Sequence, residues 1–117
     1  MTKTHQGGCH CKAVRYEVEL DLDQPVLECN CSHCQIKGTL WQFVPAEQFK
    51  LLSGEDTLTE YRFNTQKLQH LFCSICGVES FAYGEKDGAK TRAINIRTID
   101  DLDLPALTRT QVNGKDF

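Results

Sequence analysis

Apolar and polar residues alternate without a break over residues 14–20, where arginine and glutamates separate valine, tyrosine and leucine. Successive side chains of a strand point to opposite faces, so this pattern predicts a strand with one face in the core. Short apolar runs predict further strands at residues 40–44, 49–52, 58–63, 68–72, 78–83, 93–97 and 108–112. Little helical periodicity is present. We therefore predict one mainly β domain, residues 1–117, of mostly antiparallel sheets.

Turn residues separate these runs. Residues 53–56 read Ser-Gly-Glu-Asp, which favours a hairpin turn between the strands on either side. Residues 64–66 and 113–114 predict two more turns, residues 84–88 a loop, and residues 100–105 an acidic connection with one helical turn.

Two aromatic residues, Trp41 and Phe43, lie two positions apart on one predicted strand and should share a face. We interpret both as core residues. A wall of a substrate pocket is the alternative.

Composition narrows the possible partners. The 117 residues carry a net charge of −3, and lysine and arginine form no run, which argues against a nucleic-acid partner. No apolar stretch approaches the roughly 18 residues of a membrane span, and the first residues lack the apolar segment of a signal peptide. We expect a cytoplasmic protein without a membrane partner, either a monomer or a homodimer.

Seven cysteines are the chemically informative feature. Cys29, Cys31 and Cys34 fall within six residues, closer together than core packing requires. Thiols stay reduced in the cytosol, so such a group predicts metal binding, usually of zinc, rather than disulfides. A three-bridge secreted domain with one free thiol is the alternative. Three protein ligands would leave one zinc position open for water or substrate.

The other four cysteines form two pairs, Cys9 with Cys11 and Cys73 with Cys76. The second pair is followed by Gly77 and is typical of a zinc knuckle, although a lone pair of this spacing could also be a redox dithiol. Seven thiols divide naturally into a closed group of four and an open group of three. Spacing alone also permits Cys31 and Cys34 to join Cys73 and Cys76.

The seven cysteines lie in three motifs: Gly-Cys-His-Cys, Cys-Asn-Cys-Ser-His-Cys and Cys-Ser-Ile-Cys-Gly. In their order and spacing, the chain resembles the glutathione-dependent formaldehyde-activating enzyme family, which also contains centromere protein V. The resemblance runs from about residue 7 to the acidic residues 100–101. It implies a Mss4-like fold of layered antiparallel sheets stapled by zinc. It also implies two zinc ions, one structural and one catalytic. The structural ion is expected on Cys9, Cys11, Cys73 and Cys76, and the catalytic ion on Cys29, Cys31 and Cys34.

The implied activity joins formaldehyde and glutathione into S-hydroxymethylglutathione, or cleaves that adduct. Small-molecule thiol and aldehyde would then be the partners. His33, inside the ligand loop, is the candidate for proton transfer. Arg97 and Arg62 are candidates to bind the glutathione carboxylates through bidentate contacts. Two other hypotheses remain: a non-catalytic zinc-binding interaction module, and a redox sensor whose oxidised thiols release zinc.

Overall fold

A computed structural model describes residues 1–62 and 68–112, and these residues are mainly β. The described strands, in chain order, are β1 (Lys3–Gly8), β2 (Arg15–Leu20), β3 (Val26–Cys29), β4 (Trp41–Pro45), β5 (Phe49–Ser53), β6 (Leu58–Tyr61), β7 (Gln69–Cys73), β8 (Phe81–Lys86), β9 (Ala89–Asn95) and β10 (Arg109–Val112). One α-helix, α1 (Ser32–Lys37), and 3₁₀ turns lie between them in the described part of the chain. The turns are Ala46–Gln48, Glu55–Thr57, Ile96–Thr98 and Leu104–Ala106.

Two sheets organise the described residues. The smaller has the order β1-β2-β5, and the larger has the order β10-β3-β4-β9-β8-β7-β6. The pairings are antiparallel, as predicted, except that β10 runs parallel to β3. The mainly β fold is therefore confirmed. None of the helices in residues 1–62 and 68–112 has the length and apolar character needed to cross a lipid bilayer.

The alternating pattern of β2 places Tyr16, Val18 and Leu20 in the core between the sheets. Aromatic rings join the two layers there. Tyr16 and Phe49 of the small sheet pack against Phe81 of the large sheet, with ring centroids 5.8 and 4.9 Å from that of Phe81. Edge-to-face contacts at these distances are favourable beyond the area they bury.

The opposite face of the large sheet carries α1. Phe81 and Ile94 are paired in register and face the small sheet, so the adjacent pair, Ala82 and Ala93, faces the other way. Ala82 and Ala93 pack in a second buried cluster with Trp41 and with Cys34 of α1. Their small side chains leave room for the helix.

The predicted hairpin at residues 53–56 is wrong. β5 pairs with β2 in the small sheet, whereas β6 pairs with β7 in the large one. Gly54 has φ +92°, and a Cβ there would lie 2.5 Å from the carbonyl oxygen of Ala13. The chain turns at this glycine into a 3₁₀ turn, Glu55–Thr57, which takes it from one sheet to the other.

The loop predicted at residues 84–88 is mostly strand. Asp87 and Gly88 both have positive φ, 52° and 83°, and form the two-residue turn that joins β8 to β9. Such turns match the twist of the paired strands, so both strands extend to the turn. The strand predicted at residues 93–97 ends at Asn95, whose side chain accepts a hydrogen bond from the Arg97 N–H.

Other expectations meet different outcomes. Trp41 is buried as predicted and packs against Cys34, whereas Phe43 is 50% exposed and is not a core residue. The helical turn in the acidic connection is the 3₁₀ turn Leu104–Ala106. The turns predicted at residues 64–66 and 113–114 lie outside the described residues.

Tyr16 offers a test of how the sheets are joined. Its buried hydroxyl lies 2.7 Å from Thr98 Oγ1. We expect Tyr16→Phe to lower the free energy of unfolding by about 1 kcal/mol, the usual net value of a lost hydrogen bond. Urea denaturation of the metal-loaded protein measures this change. Tyr83→Phe is the control, because the Tyr83 hydroxyl makes no hydrogen bond within the described residues and the change should be close to zero. Equal losses in the two variants would contradict this role.

Candidate metal centres

Four cysteines from two distant parts of the chain lie close together. Cys9 and Cys11 follow β1, while Cys73 ends β7 and Cys76 lies in the turn beyond it. The Cys9 and Cys11 sulfurs are 3.6 Å apart, and the Cys11 and Cys73 sulfurs are 3.7 Å apart. Four thiolates about 2.3 Å from a tetrahedral zinc ion would be about 3.8 Å from one another. The four-cysteine group therefore fits zinc.

Backbone N–H groups in both turns point at these sulfurs. The Val14 N–H donates to Cys9 Sγ at 3.3 Å, and the Ile75 N–H donates to Cys73 Sγ at 3.4 Å. The backbone N–H groups of Cys11 and Val78 lower the pKa of Cys76 to about 6. These turns thus stabilise the thiolate form that metal binding requires.

Cys29, Cys31 and Cys34 form the second group, with their three sulfurs within 4.8 Å of one another. Cys29 ends β3, Cys31 is the N-cap of α1, and Cys34 lies in the helix's first turn. The alternative grouping of Cys31 and Cys34 with Cys73 and Cys76 is not what the structure shows.

The helix start arranges this three-cysteine group. Cys31 Sγ accepts the Cys34 N–H at 3.4 Å, where a serine or aspartate oxygen more often caps a helix. Cys29 Sγ accepts the Cys31 N–H at 3.5 Å. The indole Nε1–H of Trp41 donates to Cys34 Sγ at 3.3 Å. One short turn of backbone thus directs all three sulfurs to one point.

Burial and hydrogen bonding give the thiols of this group different pKa values. It raises the pKa of Cys34, which is only 7% exposed, to about 12 even though the Trp41 indole opposes the shift. Burial also acts to raise the pKa of Cys31, but hydrogen bonds from Cys34 outweigh it and the pKa is lowered. A cation at this point would supply the charge that the buried Cys34 thiolate needs.

A polar cavity of about 270 Å³ opens beside the three-cysteine group. Its lining residues are Glu28, Cys29, Asn30, Cys34, Gln35, Gly38, Thr39, Arg97 and Gln111. Arg97 donates from Nε to the Gly38 carbonyl oxygen at 2.7 Å, which holds its guanidinium at the wall. Glu28 accepts from Arg109 at 2.9 Å and from Gln111 at 2.5 Å. The three-cysteine group is thus next to a space that a small polar molecule could enter.

Known proteins resemble this chain in sequence and in fold. The model of the family described as glutathione-dependent formaldehyde-activating enzyme matches residues 4–113. The chain belongs to this family. It is also similar to a Rhodobacter sphaeroides protein of known crystal structure, a structural genomics target, at 28% identity and a TM-score of 0.77. That similarity covers 90% of this chain and 99% of the other.

The two arginines that the resemblance singled out lie in different places. Arg97 lines the cavity beside the three-cysteine group. Arg62 follows β6 and forms an ion pair with Glu60, and it is not among the residues that line this cavity. Arg97, unlike Arg62, therefore lies beside the three-cysteine group.

A third buried group was missed in the sequence. His33, His70 and Glu79 bring their ligand-type atoms within 4.8 Å of one another. His33 Nε2 lies 3.3 Å from Glu79 Oε1, and His70 Nδ1 lies 2.7 Å from Glu79 Oε2. Burial acts to raise the pKa of Glu79, but the two histidines outweigh it and lower the pKa to about 2. His70 lies within an apolar strand, a signal that could have marked it as a buried polar residue; no local pattern marks Glu79.

Trp41 allows the filling of the three-cysteine site to be followed directly, because it is the single tryptophan of the chain and touches Cys34. We expect its fluorescence to change as zinc is titrated into metal-free protein. Cys29→Ser should remove most of that change, whereas Cys11→Ser, in the four-cysteine group, should keep it. A change that survives Cys29→Ser but disappears in Cys11→Ser would contradict the assignment.

Proposed function

We propose that the protein is a zinc-dependent enzyme that forms or cleaves a carbon–sulfur bond between a small thiol and an aldehyde, as in S-hydroxymethylglutathione. One observation carries the proposal: the group of three thiols adjoins a polar cavity, whereas the other group already has the four thiols that a closed zinc site takes. Membership of the formaldehyde-activating family supports the same reaction class.

Cys29, Cys31 and Cys34 would hold the catalytic zinc, and Cys9, Cys11, Cys73 and Cys76 the structural one. When bound, the catalytic zinc supplies positive charge that favours the thiolate form of a substrate and polarises an aldehyde oxygen. The chain's own residues then bring the two reactants together in the cavity, so proximity adds to activation.

The reaction balances without a further reactant. The substrate sulfur attacks the aldehyde carbon, a C–S bond forms, and the carbonyl π electrons move to oxygen. That oxygen takes up the proton that the thiol gives up, and cleavage is the reverse. His33 is the candidate to move this proton. Its Nδ1 lies 3.9 Å from Cys34 Sγ and His33 is not among the residues that line the cavity, so it would act through a bridging water molecule.

Recognition of glutathione would rely on the cavity wall. Arg97 Nε donates a hydrogen bond to the Gly38 carbonyl oxygen. The two terminal nitrogens of its guanidinium would then bind a substrate carboxylate. Asn30 and Gln111 line the same cavity. We assign the reaction to the cytoplasm, because an oxidising compartment would threaten seven cysteine thiols.

The first test removes one ligand. We expect Cys31→Ser to bind one zinc ion per chain instead of two, and its rate of adduct formation above the uncatalysed background to fall by about 100-fold. Metal content and the glutathione–formaldehyde reaction are measured together. Ser32→Ala, an exposed change in the same loop, should keep two zinc ions and full activity. Full activity with one zinc lost in Cys31→Ser would rule out the catalytic role.

The second test addresses recognition. We expect Arg97→Ala to raise the KM for glutathione about tenfold with a much smaller effect on kcat, because a lost charge-assisted contact is worth about 1.4 kcal/mol or more. The KM for 2-mercaptoethanol, which has no carboxylate, should not change. Arg92→Ala is the matched control, since Arg92 packs over the Tyr83 ring away from the cavity lining. Arg62→Ala tests the second predicted arginine, and a KM effect there alone would move the carboxylate contact to Arg62.

A further inference from the structure

Helix α1 supplies Cys34 and is capped by Cys31, yet it has only six residues. A helix of that length is not stable alone and must be held by tertiary contacts. Its first turn also contains no acidic residue that would favour the helix dipole. The spacing of two of the three zinc ligands therefore depends on whatever holds this helix in place.

One buried carboxylate contacts the helix at both ends. His33 and Lys37 are four residues apart and so lie on one helix face. Their Nε2 and Nζ atoms lie 3.3 and 3.2 Å from the same oxygen, Glu79 Oε1. Lys37 also packs over the Phe72 ring of β7 at 5.3 Å. Glu79 and β7 together thus hold the side of α1 that faces the sheet.

The carboxylate is itself fixed. The Glu79 side chain is 1% exposed, and its second oxygen meets His70 Nδ1 of β7 at 2.7 Å. Its backbone carbonyl accepts from Asn95 Nδ2 at 2.9 Å. Asn95 Oδ1 in turn accepts from the backbone N–H groups of Leu40 and Arg97 at 3.4 and 3.3 Å. Glu79 is thus a rigid anchor rather than a side chain that follows the helix.

A third metal ion would also suit two histidines and a carboxylate. The position of Lys37 argues against a metal ion there. Lys37 already places an ammonium beside Glu79 Oε1, and a cation bound there would have to displace it. The charge of the carboxylate is therefore balanced from within the chain.

We propose that Glu79 is a positioning residue for the three-cysteine zinc site, holding α1 through His33 and Lys37 so that Cys31 and Cys34 stay at the spacing that zinc requires. This inference rests on the proposed function only in taking zinc as the occupant of that site. Groups that contact metal ligands directly commonly set metal affinity by 10- to 100-fold. Glu79 acts one residue further out, through His33, whose Nδ1 lies 3.9 Å from Cys34 Sγ.

The experiment measures metal affinity at each site rather than turnover. Metal-free protein is titrated with Co²⁺, whose absorption distinguishes three-thiolate from four-thiolate coordination, and zinc affinity is then measured by chelator competition. We expect Glu79→Gln to weaken zinc binding at the three-cysteine site by about 10- to 100-fold, with the four-cysteine site unchanged. Glu47→Gln, an exposed matched control, should bind as the parent protein does.

A second variant keeps the test decisive if Glu79→Gln folds poorly. Lys37→Met lies on the helix surface and should weaken the same site, by a smaller factor. The double variant should lose less than the sum of the two single losses, because both changes break one contact.

Unchanged affinity in both single variants would overturn the positioning role. So would a third Co²⁺ equivalent that disappears in Glu79→Gln, since Glu79 would then be a ligand. A parent protein that binds metal only at the four-cysteine site would instead refute the proposed function, whatever Glu79 does.

Discussion

The strict alternation of side chains across the seven-stranded sheet is the constraint on which the rest of the structure depends. Phe81 and Ile94 face the small sheet, and this commits their neighbours, Ala82 and Ala93, to the other side. The first face buries aromatic rings and gives stability. The second, lined by small residues, admits a short helix and its thiols. One sheet thus separates the aromatic core from the face that carries the three-cysteine group.

The two thiol groups differ for structural reasons. The four-cysteine group joins loops that are far apart in the chain, and closing such a long loop restricts the unfolded state strongly. The three-cysteine group is local, spanning the end of β3 and the start of α1. A local cluster contributes little to the closure of long loops, so a purely structural role explains it less well than the proposed catalytic one.

Local patterns in the sequence predicted several of the strands and the division of the cysteines. Alternation located β2, and the runs at β5, β7 and β10 were found to within one or two residues. Cysteine spacing suggested the division into four and three. The sheet to which each strand belongs was not predictable. The sequence around residues 53–58 is typical of a hairpin, but β5 pairs with β2 and β6 pairs with β7, and these partners come from distant parts of the chain. Glu79 was missed for the same reason, since its contacts with His33 and Lys37 exist only after α1 has packed on β7.

Strand β10 has a consequence of a different kind. It is an edge strand, held to β3 by four parallel residue pairs, and it contributes Gln111 to the cavity and Arg109 to Glu28. The seven cysteines lie on other segments. A substitution on this border strand would therefore change part of the cavity wall while every sulfur stays where it is.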